Sequence, residues 1–149
     1  MKPARPIRKN ATHTLTILGR ADAFSSGGVA AFLITSGAEM PPRNECFVLE
    51  ISDRRYCEAW AIFCGIKNVF QRAMTGDRVR IEGPAGSDFA RFTKDHCPEP
   101  WLEVLHRDIR VLSETLTDMG IDVCFAEQGE TSLFTWLSSA TEHTLRKRA

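Results

Sequence analysis

A chain of 149 residues that is 43% hydrophobic and 26% charged has the balance of an ordinary globular protein. It fits one domain that buries roughly 70% of the surface its unfolded form exposes, and it argues against disorder. Nineteen basic and nineteen acidic side chains cancel, so bulk charge gives no pull toward nucleic acid and any phosphate binding has to come from local patches. The longest apolar runs fall well short of the ~20 residues of a transmembrane helix.

Residues 1–11 read as a flexible basic arm with Lys2, Arg5, Arg8 and Lys9, and residues 12–149 as the domain. The arm lacks the apolar core of a secretory signal, which gives the expectation of a cytoplasmic protein with no membrane attachment. From Thr12 to Gly19, Thr14, Thr16 and Leu18 alternate with His13, Leu15 and Ile17, the period and β-branched content of a strand. Ser25 to Gly28 is a turn and Val29 to Thr35 an apolar second strand. Met40 to Asn44 turns the chain again, and Glu45 to Ile51 alternates as a third strand, completing an antiparallel meander. The period then changes. Ala59, Ile62, Phe63, Ile66, Val69, Phe70 and Ala73 form the stripe of an amphipathic helix with Ser52 or Asp53 as its N-cap, ended by Gly76-Asp77. Arg78 to Glu82 is a short strand that Gly83-Pro-Ala-Gly86 breaks, and Ser87 to Lys94 is a small helix or loop. Trp101, Leu105, Ile109, Leu112, Leu116 and Met119 mark a second long helix closed by Gly120. Ile121 to Ala126 is a fifth strand, and Thr131 to Leu145 a last helix ahead of a second basic patch, Arg146 to Arg148.

Five cysteines with no CxxC pair make no disulfide framework, and Cys46, Cys57, Cys64 and Cys124 read as small hydrophobes within apolar elements. His96-Cys97 is a lone pair of zinc-type ligands with no second pair nearby. Trp60, Trp101 and Trp136 fall on or beside helix stripes and read as core or interface residues rather than base-stacking platforms. His106, at the polar edge of its helix, and His143 read as solvated.

Two acids stand out. Asp22 lies at the mouth of the first hairpin and Glu58 one turn into the first helix. Two carboxylates delivered to one sheet edge are most simply explained by a shared cation or a shared proton. Each also has a plain structural reading, Asp22 as a turn residue accepting from the amides of Phe24 or Ser25, Glu58 as a first-turn helix acid.

The order of three antiparallel strands, helix, strand, helical material, strand and helix, with Asp22 ahead of Gly27-Gly28-Val29-Ala30-Ala31-Phe32 and with Glu58, Ala61 and Gly65 on the first helix, resembles the ribonuclease H-like family. The resemblance covers nearly the whole chain in element order and these two stretches in residues. It implies an α/β fold, a five-stranded mixed sheet in which three antiparallel strands are followed by helical crossovers, flanked by helices. It also implies that Asp22 and Glu58 ligate two Mg²⁺ (or Mn²⁺) ions that activate a water and stabilise the leaving 3′ oxygen, cutting the RNA strand of an RNA–DNA hybrid or a related nucleic acid. Four acids belong to that pattern, and here the chain departs from it. The third belongs at the end of the fourth strand, where Glu82 comes one or two residues early and Asp88 four residues late, so that either serves only if a bulge at Gly83-Pro84 distorts the strand end. The fourth belongs near the start of the last helix, where Thr135 stands and Glu130 or Glu127 is the replacement.

Two function classes follow: a metal-dependent nuclease with the catalytic set Asp22, Glu58, Glu82, Asp88 and Glu130, or a non-catalytic module on the same scaffold that binds nucleic acid or a protein partner. Four acids converging in space favour the first. An acid pair facing Thr135 and Pro84 favours the second. A small α/β protein unrelated to the family is the third reading.

Overall fold

Period-two alternation and the 3.6-residue stripe become a layered sheet. The computed structural model describes residues 10–21, 27–37, 40–84, 99–127 and 132–148. They form β1 (Thr12–Ala21), β2 (Gly28–Thr35), β3 (Arg43–Leu49), α1 (Arg54–Val69), β4 (Arg78–Gly83), α2 (Pro100–Asp118), β5 (Asp122–Glu127) and α3 (Ser132–Arg148). The five strands make one sheet in the order β3-β2-β1-β4-β5. β1, β2 and β3 pair antiparallel, while β4 runs parallel to β1 and β5 parallel to β4. This is the mixed five-stranded arrangement expected from the element order.

The alternation decides which residues meet which helix. Leu15, Ile17, Phe32, Ile34, Val79 and Ile81 face one way and pack with Ile62, Ile66 and Val69 of α1 and with Leu102, Ile109 and Leu116 of α2. Leu18 and Ala31 face the other way and meet Leu137 of α3. β2 is buried at every position but its last and β1 from Leu15 to Gly19, both covered on both faces, whereas the edge strand β3 is exposed or half-buried throughout.

Asp53 is the N-cap of α1, in extended backbone, with its carboxylate accepting from the Tyr56 amide at 3.0 Å. α1 stops at Val69, short of Ala73, and Gly120, at φ +82°, follows the close of α2. β1 runs two residues beyond Gly19, and β3 begins at Arg43, inside the expected turn, because Arg43 and Asn44 pair with Ile34 and Leu33. The expected element at Ser87 to Lys94, the turn at Ser25 and Ser26, and the arm at 1–9 lie outside the described residues.

Side-chain environments bring several corrections. His106 is buried, not solvated, because it lies four residues after Leu102 and three before Ile109 on the same stripe of α2. Cys46 is exposed on the edge strand. Trp101 and Trp136 are each 47% exposed, which removes the core half of the core-or-interface reading. Trp60 is half-buried and stacks on Tyr56 with ring centroids 6.5 Å apart, and Tyr56 in turn stacks on Trp101 at 6.3 Å.

One polar network crosses the sheet at the N-terminal end of β1. Buried His13 donates from Nε2 to Asp77 Oδ2 at 2.8 Å, and its Nδ1 lies 2.7 Å from Ser36 Oγ. Asp77 also accepts from the amides of Ala11 and Met74, both at 3.0 Å. A carboxylate is acceptor-only, so Nε2 carries the proton that Asp77 accepts. Arg72 Nη1 donates to the same hydroxyl oxygen at 3.2 Å.

α1 lies on β1 at two glycines. A Cβ on Gly65 would press 2.7 Å from Leu15 Cδ2, whose side chain can shift. A Cβ on Gly19 would strike the Glu58 amide nitrogen and lie 2.8 Å from both the Cys57 carbonyl carbon and Glu58 Cγ, and helix backbone has no rotamer through which to yield. Gly19→Ala is therefore expected to cost about 2–3 kcal/mol. Gly37→Ala, with nothing within 4 Å of the added atom, is expected to stay within about 0.5 kcal/mol of the parent. Urea denaturation of the two variants checks the contrast, and equal stabilities would show that the helix can lift off the strand.

Candidate active-site cleft

β1 and β4 run parallel, so their C-terminal ends emerge at one edge of the sheet, the place where open α/β sheets leave a crevice. A cleft of about 510 Å³ opens there between Leu18, Gly19, Arg20 and Ala21 of β1, Arg54 at the start of α1, Pro84 just beyond β4, and Ser138 of α3. Sequence reasoning passed over all of these except Pro84. Two signals were available: a glycine inside a strand marks a close backbone approach, and Arg54 stands four residues before Glu58 on one helix.

Glu58 lies in the second turn of α1, not the first, and its side chain is only 9% exposed. The helix dipole has faded there, so burial and a direct partner govern this carboxylate. Its Oε1 accepts from Arg54 Nε at 2.6 Å, a charge-assisted bond of the short, strong kind. The sheet offers it no neighbouring acid from below. Gly19 stands under Glu58 without room for a side chain, and Gly83 takes the next place after Val79 and Ile81 on the same face of β4.

Glu82 faces the other way. It pairs in register with Thr16, alternates with Ile81, and so belongs to the α3 side of the sheet; there it accepts from Arg80 Nε. β4 keeps unbroken register with β5 through Gly83 opposite Glu127, so no bulge precedes Pro84 to turn Glu82 around. Thus Glu58 and Glu82 lie on opposite faces, each held by an arginine of its own element. Thr135 is exposed at the start of α3. Asp22, Asp88 and Glu130 lie outside the described residues.

Divalent cations of the Mg²⁺ class need several carboxylate or carbonyl oxygens converging on one point. Among the described residues no three His, Cys, Asp or Glu side chains come together in that way, and Glu58, behind the cleft, already holds Arg54. The described residues do not fit Mg²⁺ or Mn²⁺. What lines the cleft instead is cationic.

No protein-family model matches this chain, and no curated protein matches it in sequence. Solved structures do match it in shape. The N-terminal RNase H domain of rv2228c from Mycobacterium tuberculosis, determined as a maltose-binding-protein fusion, superposes with a TM-score of 0.71 at 8% identity, over 94% of this chain and 100% of that one. The fold is ribonuclease H-like. LC11-RNase H1, isolated from compost, gives a TM-score of 0.65 at 11% identity over 90% of this chain and 98% of that one. The same protein in complex with an RNA/DNA hybrid gives 0.63 at 11% identity over 89% and 99%. At such identity the ribonuclease H-like likeness concerns the path of the backbone, and the cleft's chemistry has to be read from its own residues. No helix among the described residues is long and apolar enough to cross a membrane.

Two thiols of α1 hold their protons more tightly than free cysteine. Burial pushes Cys57, beside Glu58, up to about 11, helped by the negative charges of Asp53 and Glu58 against one hydrogen bond to the Asp53 backbone. Burial likewise raises Cys64 to about 11, against the pull of Lys67. A thiol is nucleophilic only as thiolate, so in the native protein at pH 8 an alkylating reagent is expected to modify exposed Cys46 well before Cys57 or Cys64. The linkage has a definite sign: unfolded thiols lose their protons near 9.0 and these two only near 11, so stability falls as pH rises from 9 toward 11. Mass mapping after timed alkylation and urea melts across that range check both statements.

Proposed function

We propose that this chain is a ribonuclease H-like module that binds nucleic acid through the cleft at the end of β1 without metal-dependent cleavage centred on Glu58. The observation that carries this reading is the state of Glu58. Its carboxylate is neutralised by Arg54 at 2.6 Å above a glycine that leaves no room for a second acid. Phosphodiester hydrolysis by divalent metal needs unengaged carboxylate oxygens to hold cations whose charge matters most in the transition state, and this carboxylate is spent on a guanidinium. The ligand class, an RNA–DNA hybrid or a related duplex, is supported by the LC11-RNase H1 complex that shares the backbone fold. Cleavage of the RNA strand with Mg²⁺ or Mn²⁺ is the competing reading, and it would have to be assembled from Asp22, Asp88 and Glu130 with Glu58.

Fluorescence anisotropy of a labelled RNA–DNA hybrid in EDTA, at several KCl concentrations, is expected to show binding that weakens steeply with salt. Three phosphate contacts correspond to a roughly fortyfold loss of affinity between about 50 and 200 mM salt. The same hybrid incubated with Mg²⁺ or Mn²⁺ is expected to stay intact. Cutting of the RNA strand that Glu58→Gln abolishes would overturn the proposal and restore the nuclease.

A further inference from the structure

The cleft holds two arginines and, among its described lining residues, no acid. Arg54 commits Nε to Glu58, and among the described residues its two Nη groups have no hydrogen-bond partner. A guanidinium carries five N–H donors in a fixed plane, so an Nε held by a buried carboxylate fixes that plane and leaves donors paired for a second, larger acceptor. Arg20 is 38% exposed, with the Glu142 carboxylate 3.9 Å away and 54% exposed, an ion pair of the solvated sort that contributes little and gives way readily. Ser138 adds a hydroxyl from α3. Planar arginine forks are suited to phosphate oxygens, which accept two parallel hydrogen bonds from one guanidinium.

We propose that this cleft is a phosphate site in which Arg54, from the α1 side, and Arg20, from the α3 side, hold the phosphate backbone without a divalent ion, and in which Glu58 serves as a positioning residue that orients the Arg54 fork. The site inverts the electrostatic logic of a metal centre. Where two cations would bridge acids to a phosphate, the cations here are guanidinium groups built into the chain, and the acid supports one of them from beneath. The source of the phosphate rests on the nucleic-acid reading above. The anion chemistry itself does not, because a free pyrophosphate presents the same oxygens.

Anisotropy titrations of the full chain with an RNA–DNA hybrid in EDTA, repeated across KCl concentrations, test the proposal. Arg20→Gln, and the charge-balanced pair Arg54→Gln with Glu58→Gln, are each expected to weaken binding about tenfold and to flatten the slope of log K against log[salt] by about one unit, the signature of one lost phosphate contact. The paired substitution avoids stranding the buried acid, and native melting curves confirm that both variants fold. Arg54→Lys keeps the charge and is expected to keep the slope while losing affinity, since an ammonium cannot reproduce the fork. Unchanged slopes in both Arg20→Gln and the paired variant would overturn the site. If the parent protein binds no hybrid at all, melting in inorganic pyrophosphate separates the two failures. A rise in Tm that Arg20→Gln abolishes keeps the anion site and removes only its nucleic-acid source, whereas no rise removes both.

Discussion

The contact between α1 and β1 at Gly19 sets the terms for everything at the cleft. A helix that lies this close to a strand needs a position without a side chain beneath it, and Gly19 provides one under the backbone of Cys57 and Glu58. The approach presses the apolar stripe of α1 into Leu15, Ile17 and Phe32, where tight contact is worth more than loose coverage. The same geometry brings the start of α1 to the end of β1 and so brings Arg54 to the rim. The strand position nearest the Glu58 carboxylate is thereby spent on packing and carries no side chain of its own.

Charge follows from that packing. A carboxylate with only 9% of its side chain exposed pays a large desolvation cost unless a cation stays close. In a metal centre several acids share that cost with a dication. Here one acid is balanced locally by the arginine one turn earlier on its own helix. Pairs of this spacing on an open helix surface contribute only a few tenths of a kcal/mol, but partial burial and a 2.6 Å bond make this one the group that decides the sign of the cleft. On the opposite face Arg80 holds Glu82 in the same self-contained way.

Much of the fold was legible in the residues, and the reasons are local. Alternation from Thr12 to Gly19, the stripe through Ile62, Ile66 and Val69, the Asp53 cap and the Gly120 stop each follow from a period or a backbone preference that a short window contains. The site was less legible because it depends on facing and distance. Whether Glu82 joins Glu58 turns on a parity of one residue relative to Ile81, and parity reads correctly only when the ladder is known to run unbroken through Gly83. Gly19 reads as a weak strand residue until the helix above it is placed. His106 was missed for a simpler reason: the apolar neighbours that share its stripe, Leu102 and Ile109, outweigh the polar residues adjacent in sequence.

The His13–Asp77–Ser36 network settles an ambiguity that the apolar pattern leaves open. A one-residue slip of a strand turns its core side chains to the wrong face and is rejected by burial alone. A two-residue slip of β1 toward the C-terminal end of β4 is opposed less by burial, because Leu15 and Ile17 would keep the same face. It would, however, carry His13 roughly 7 Å along the strand, away from the carboxylate at the foot of β4, and leave buried hydrogen-bonding groups unpaired at a cost of about 1–3 kcal/mol. His13 and Asp77 are 64 residues apart in sequence, so the pair proofreads a junction that no local signal specifies. Parallel strands lack the short hairpin that counts residues for antiparallel neighbours, and in this sheet a histidine does the counting.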